Sequence, residues 1–257
     1  MTKIHQQTFG KGKPIVLVHG WAMHSGIWRN FAQQLAKNYQ VTCVDLPGHG
    51  HSEKIASFTL EQISEALVNA VSDDSSCWLG WSLGATVVLD IANRFPERVN
   101  SLVLLAGNPL FTQTAQWSGM KVNLLEAFAD QLHENGQATL LRFLSLQVNN
   151  LPDYKILFKA LKLAVMECNA PDKEILQGGL EILKHADLRQ ALSDITVPVS
   201  VILGVRDTLV PVSVGQNMQA LAPEIIINRL DNAGHVSFLS HPEEVIAIIS
   251  RLLDNRQ

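Results

Sequence analysis

Short apolar runs alternate along this chain with segments of helical periodicity. Pro14–Val18, Gln40–Asp45, Cys77–Gly80, Asn100–Ala106, Val197–Gly204 and Glu224–Leu230 are short and strongly apolar, with many β-branched side chains. Such runs, lacking polar alternation, read as strands covered on both faces, the condition of a parallel sheet. Between them the period changes. In Leu60–Val71 the residues Leu60, Ile63, Leu67 and Val71 share one helical stripe. Leu83–Phe95 reads as another helix, and Pro242 stands at a plausible first position of a third, EEVIAIISRLL. Alternating strand and helix predicts an α/β fold, a mostly parallel, doubly wound sheet with right-handed crossovers.

One stretch breaks the alternation. From Leu110 to about Leu192 only helical patterning appears, at Leu124–Leu132, Thr139–Gln147, Tyr154–Val165 and Lys173–Lys184. About 80 residues of helix is far more than one crossover needs. It reads as a cap over the carboxyl ends of the strands, the edge at which open α/β sheets bind ligands. The expected division is a core of residues 1–109 and 187–257 with a helical cap of 110–186.

Composition narrows the picture. The 257 residues are 47% hydrophobic and 17% charged, which excludes a disordered or low-complexity chain. A net charge of −4 provides no global field for nucleic acid. No apolar run approaches the roughly 18 residues of a membrane span. The first dozen residues lack the apolar stretch of a secretory signal. A soluble, cytoplasmic monomer with neither membrane nor nucleic-acid partner is the expectation. Cys43, Cys77 and Cys168 are too widely spaced for a CxxC metal pair, and their odd number argues against a disulfide framework.

The sharpest chemical signal is Gly80-Trp81-Ser82-Leu83-Gly84, a G-x-S-x-G running from a strand straight into a helix. Such a turn strains the serine backbone, and flanking side chains would obstruct it. It presents the hydroxyl at a helix N-terminus, where developing negative charge is favoured. A serine merely capping a helix is the plainer alternative. A nucleophilic serine needs a base, and the base an orienting carboxylate, in the chain order Ser, Asp or Glu, His. Asp207, 125 positions on, follows the strand VSVILG, and His235, 28 further on, follows the next strand. Either alone would be an ordinary loop residue; the three on one sheet edge predict a catalytic triad.

A tetrahedral oxyanion needs N–H donors. Leu83, directly after the serine, is one candidate; Trp21, in the His19-Gly20-Trp21 loop, is the other. The indole of Trp21 either walls the acyl site or simply packs in the core. His49 and His51 have metal-like spacing without Cys or carboxylate company and read as loop residues, and His241 as the lead-in to the last helix. The chemistry requires neither a metal nor an organic cofactor.

H-G-W, D-L-P-G-H-G-H-S, G-W-S-L-G, the Asp207 turn and A-G-H together resemble the α/β-hydrolase superfamily over essentially the whole chain. Other segments are similar to the pimeloyl-[acyl-carrier protein] methyl ester esterase family of biotin synthesis. They include Pro96-Glu97-Arg98-Val99, Trp117-x-Gly119-x-Lys121, Arg142-Phe143-Leu144-x-Leu146-Gln147, and Gly178-Gly179-Leu180-Glu181-Ile182-Leu183 running on to Asp187-Leu188-Arg189.

The resemblance implies hydrolysis of the methyl ester of a pimeloyl chain carried on acyl carrier protein. It assigns Ser82, Asp207 and His235 to the triad, and Trp21 and Leu83 to substrate and oxyanion. Phe143, Leu144, Ser145, Leu146 and Gln147 would line an acyl tunnel. The carrier is acidic, which calls for a basic docking face. Arg142, Lys155, Lys159 and Lys162 against Asp153 leave a local excess of three positive charges, and the lysines share a helix face. An ordinary solvated helix face has the same pattern. The family's face is richer in arginine, while here lysine predominates and Ala138 is uncharged, which implies weaker carrier binding. A triad alone leaves three other readings open: a short-chain carboxylesterase acting on small esters without the carrier, a lyase or carbon–carbon hydrolase, or a non-catalytic ligand receptor.

Overall fold

A computed structural model describes residues 2–254. The first half of the chain forms β1 (Gln6–Phe9), β2 (Pro14–Val18), α1 (Arg29–Leu35), β3 (Gln40–Val44), α2 (Leu60–Ala70), β4 (Ser76–Trp81), α3 (Leu83–Arg94) and β5 (Val99–Leu105). Helices follow: α4 (Val122–Glu134), α5 (Gly136–Val148), α6 (Tyr154–Met166), α7 (Lys173–His185) and α8 (Arg189–Ser193). The chain ends with β6 (Val199–Gly204), α9 (Val214–Leu221), β7 (Ile226–Leu230), α10 (Ser237–Ser240) and α11 (Pro242–Asp254).

The seven strands make one sheet in the order β1-β3-β2-β4-β5-β6-β7. Every pairing is parallel except that of β1 with β3. Successive residues of a strand point to opposite faces, and the strands here feed two separate apolar layers. Val16, Val18, Trp78, Leu102 and Leu104 enter the layer that includes α2 and α3. Ile15, Leu17, Leu79, Val103 and Leu105 enter the layer that includes α1 and α11. Burial on both faces is why the runs of β2 to β6 are apolar without alternation; β7, expected to be covered in the same way, lies at the other edge of the sheet, with Ile226 exposed and only Leu230 buried. β1 was not expected: its Gln-Gln-Thr-Phe is exposed at three of four positions, as a polar edge strand can be.

Between β5 and β6, α4 packs on α5 and α7, α5 packs on α6, and α7 reaches α3. Among the described residues no helix is long and apolar enough to cross a membrane.

Candidate active site

Ser82 is the single residue between β4 and α3, and its backbone sits at φ 56°, ψ −119°. For a residue with a Cβ this is strained territory. Hydrogen bonds hold it there: its N–H donates to the Leu105 carbonyl at 3.0 Å, and its carbonyl accepts from Ala85 N–H at 2.8 Å. The flanking glycines are steric necessities. A Cβ at Gly80 would collide with the Gly84 carbonyl, and one at Gly84 with the Val18 carbonyl. The second contact packs the start of α3 against the loop after β2. A Cβ on Gly20 would lie 3.2 Å from that of Ser82, so the segment carrying Trp21 runs alongside the serine. Leu83 opens α3, and its N–H has no carbonyl four residues back within the helix.

His235 is buried, with Nδ1 2.8 Å from Oδ2 of Asp207. A carboxylate only accepts, so Nδ1 donates and the lone pair of the neutral ring lies on Nε2. That Nε2 is sealed from solvent and has no hydrogen-bond partner among the described residues. The Ser82 hydroxyl is therefore not bonded to it here, and catalytic hydrogen bonds in general are often long before substrate binds. The other Asp207 oxygen accepts from the N–H groups of Leu209 at 2.8 Å and Val210 at 3.0 Å, which fixes the carboxylate. The indole of Trp81 donates to the His235 carbonyl at 2.8 Å. Because Trp81 precedes Ser82, that bond draws the histidine loop onto the serine turn.

The indole of Trp21 donates to the Leu176 carbonyl of α7 at 2.8 Å. Its ring stands edge-on to Phe143, with centroids 4.9 Å apart, and to Phe128 at 5.7 Å. Those two phenylalanines wall an apolar cavity of about 230 Å³ between α4, α5 and α7, bounded also by Phe111, Leu180 and Leu209. Ser82 is not among its lining residues. A larger hollow of about 590 Å³, beside α2, is an open groove containing none of the predicted residues.

The five residues of the expected tunnel divide. Consecutive helical residues point all round the axis, 3.6 to a turn, so five in a row cannot share one wall. Phe143 and Leu146 line the cavity. Leu144 packs in the opposite apolar layer with Val148, and the Ser145 hydroxyl lies 3.5 Å from that of Tyr154. Gln147 is buried, both amide atoms lack partners among the described residues, and its carbonyl closely approaches Gly234, the neighbour of His235. Asn108, just beyond β5, has the same character and was not anticipated: it is 3% exposed and neither amide atom is partnered.

Lys155, Lys159 and Lys162 are exposed on α6. The same helix exposes three large apolar side chains, Ile156, Leu163 and Met166. Arg142 lies on α5, borders the cavity and donates to Gln131 Oε1 at 2.8 Å.

The remaining histidines of interest are spent or suppressed. His19 donates from Nδ1 to the Gly20 carbonyl at 2.8 Å and accepts at Nε2 from Leu46 N–H at 2.9 Å, and burial pushes its pKa down to about 4. His49 donates from Nδ1 to the Pro47 carbonyl at 3.1 Å, and burial pushes its pKa down to about 3. Burial raises the Cys43 thiol to about 12, far from a reactive thiolate. Among the described residues no cluster of three or more His, Cys, Asp or Glu is arranged to hold a metal.

Residues 13–242 match the family model described as alpha/beta hydrolase fold. The chain is 40% identical over 247 residues to the pimeloyl-[acyl-carrier protein] methyl ester esterase of Methylococcus capsulatus, covering 96% of this chain and 97% of that one. It is 39% identical over 245 residues to the protein of that name from Photobacterium profundum, covering 95% and 96%. Among solved structures it is similar to an esterase from Exiguobacterium antarcticum, with TM-score 0.88 and 21% identity over 98% of this chain and 96% of that one. A bromoperoxidase from Bacillus anthracis matches at TM-score 0.87 and 18% identity over the same shares, a likeness of fold alone.

Proposed function

The chain belongs to the alpha/beta hydrolase family and, within it, to the pimeloyl-[acyl-carrier protein] methyl ester esterases. On that premise we propose that it is a serine carboxylesterase of biotin synthesis, releasing methanol from the methyl ester of pimeloyl-[acyl-carrier protein]. The observation that carries the chemistry is the buried His235–Asp207 pair, with Nε2 unpartnered among the described residues, on the loop bonded to the strained Ser82 turn.

The reaction runs in two halves. His235 Nε2 takes the Ser82 proton as Oγ attacks the ester carbonyl. Asp207 stabilises the imidazolium and fixes its tautomer. The N–H groups of Trp21 and Leu83 meet the oxyanion, each worth roughly 10²–10³-fold in rate. Methanol leaves with the proton from Nε2, and water then attacks the acyl-enzyme by the same route in reverse. Residues 110–186 form a cap over the catalytic core made by the rest of the described chain, and the apolar cavity between α4, α5 and α7 takes the acyl chain. The carrier docks on α6, where Lys155, Lys159 and Lys162 meet its acidic surface, Ile156, Leu163 and Met166 add apolar area, and Arg142 stands at the cavity.

Charge reversal tests the carrier against the small-ester alternative. In a Lys155→Glu, Lys159→Glu, Lys162→Glu variant, kcat/KM on the carrier-bound methyl ester falls roughly 10-fold or more, as several weak surface pairs turn repulsive. Hydrolysis of a p-nitrophenyl ester stays unchanged. Equal loss on both substrates, or on neither, removes the docking face.

A further inference from the structure

We propose that Asn108 holds the water molecule that hydrolyses the acyl-enzyme. The inference rests on Ser82 as nucleophile and adds a residue that the triad and oxyanion donors do not supply. Asn108 belongs to the loop that supports the serine turn. The carbonyl of Leu105 accepts from Ser82 N–H at 3.0 Å. Gly107 lies so close that a Cβ there would collide with that of Ala85 and sit 3.4 Å from the Ser82 carbonyl. The loop is pinned on both sides of Asn108: Ala106, at φ 46°, donates to the Ile202 carbonyl at 2.8 Å, and the Pro109 carbonyl accepts from Leu188 N–H at 2.8 Å.

Within this rigid frame stands a carboxamide whose donor and acceptor are both sealed from solvent and unpartnered among the described residues. A buried polar group left so is costly, and natural folds retain one mainly where function uses it or where water completes it. The chemistry of the amide narrows its partner. An ester offers only acceptors and would leave Oδ1 without a donor. A hydroxyl both donates and accepts, satisfying Oδ1 and Nδ2 together. The hydroxyls of this reaction are the water that enters and the methanol that leaves, and both exchange their proton with His235 Nε2.

In the second half-reaction the water oxygen forms a bond to the acyl carbon and its proton passes to Nε2. That proton then moves to Ser82 Oγ as the carbon–oxygen bond to serine breaks, leaving the free acid. Asn108 fixes the water before attack.

Pre-steady-state hydrolysis of a p-nitrophenyl ester by the full chain separates the two halves. In Asn108→Leu, an apolar side chain of similar size, the first turnover releases p-nitrophenol at the wild-type rate. The second phase slows roughly 100-fold, the cost of a mispositioned reactant, and intact mass shows an acyl adduct. Asn108→Ser, whose hydroxyl also donates and accepts, recovers part of the second phase; if Asn108→Leu fails to fold, Asn108→Ala carries the same test. Unaltered turnover, or equal slowing of both phases, overturns the proposal. A fluorophosphonate distinguishes the two failures: wild type left unlabelled at Ser82 defeats the nucleophile reading, whereas equal labelling with unaltered turnover defeats only the role of Asn108.

Discussion

His49 and His235 make a matched pair. Each is 1% exposed, each donates from Nδ1 to an oxygen, and each has an Nε2 without a partner among the described residues. The oxygens differ. His49 faces the neutral carbonyl of Pro47; His235 faces the carboxylate of Asp207. Burial disfavours the imidazolium of His49, and a carbonyl dipole does too little to restore it, so His49 stays neutral down to about pH 3. Such a ring cannot accept a proton usefully near neutral pH. An anion 2.8 Å away stabilises the protonated ring that a general base must become. On the proposed mechanism, burial and an unpartnered nitrogen are not enough for a general base; a carboxylate hydrogen-bonded to the other nitrogen is what sets His235 apart from His49.

The contrast breaks most visibly by deletion. Replacing His235 with Ala lowers kcat on a p-nitrophenyl ester by about 10⁶-fold, the loss seen when a triad histidine is removed alone. His49→Ala changes it by less than about tenfold, and a comparable loss at both positions would erase the distinction. A subtler change gives His235 a neutral neighbour like that of His49. Asp207→Asn keeps the shape, removes the charge, and lowers kcat roughly 10⁴-fold. The smallest effect is on stability. The unfolded chain protonates His49 near its ordinary value of 6.5, the folded chain only near 3. Stability is thus complete above pH 6.5 and falls as pH drops toward 3, by about 1.4 kcal/mol per pH unit for this residue. In urea unfolding between pH 6 and 4, His49→Leu shows a shallower decline than wild type; an unchanged slope would remove the assignment.

Much of this arrangement was legible in the chain. A strand buried on both faces declares itself by length and apolarity, and β4 is buried at all six positions. The turn at Ser82 is written in two glycines that geometry forbids to be anything else. What stayed hidden had no periodic signature. The polar β1 looks like loop because an edge strand need not bury its side chains. Gln147 and Asn108 resemble any other amide in sequence; their distinction is a lack of partners among the described residues, which exists only once the chain has packed around them. The resemblance carried over Phe143 to Gln147 as a block, but helical geometry sends neighbouring residues to different walls.

The hydrogen bond from Trp21 to Leu176 has a consequence for redesign. It joins the His19-Gly20-Trp21 loop, the proposed source of an oxyanion donor, to a helix that also walls the cavity through Leu180. Substitutions that shift α7 to admit longer or bulkier chains will drag that loop with them. Breadth of substrate and speed of turnover are thereby yoked, and an engineer seeking one without the other would first have to cut the tether.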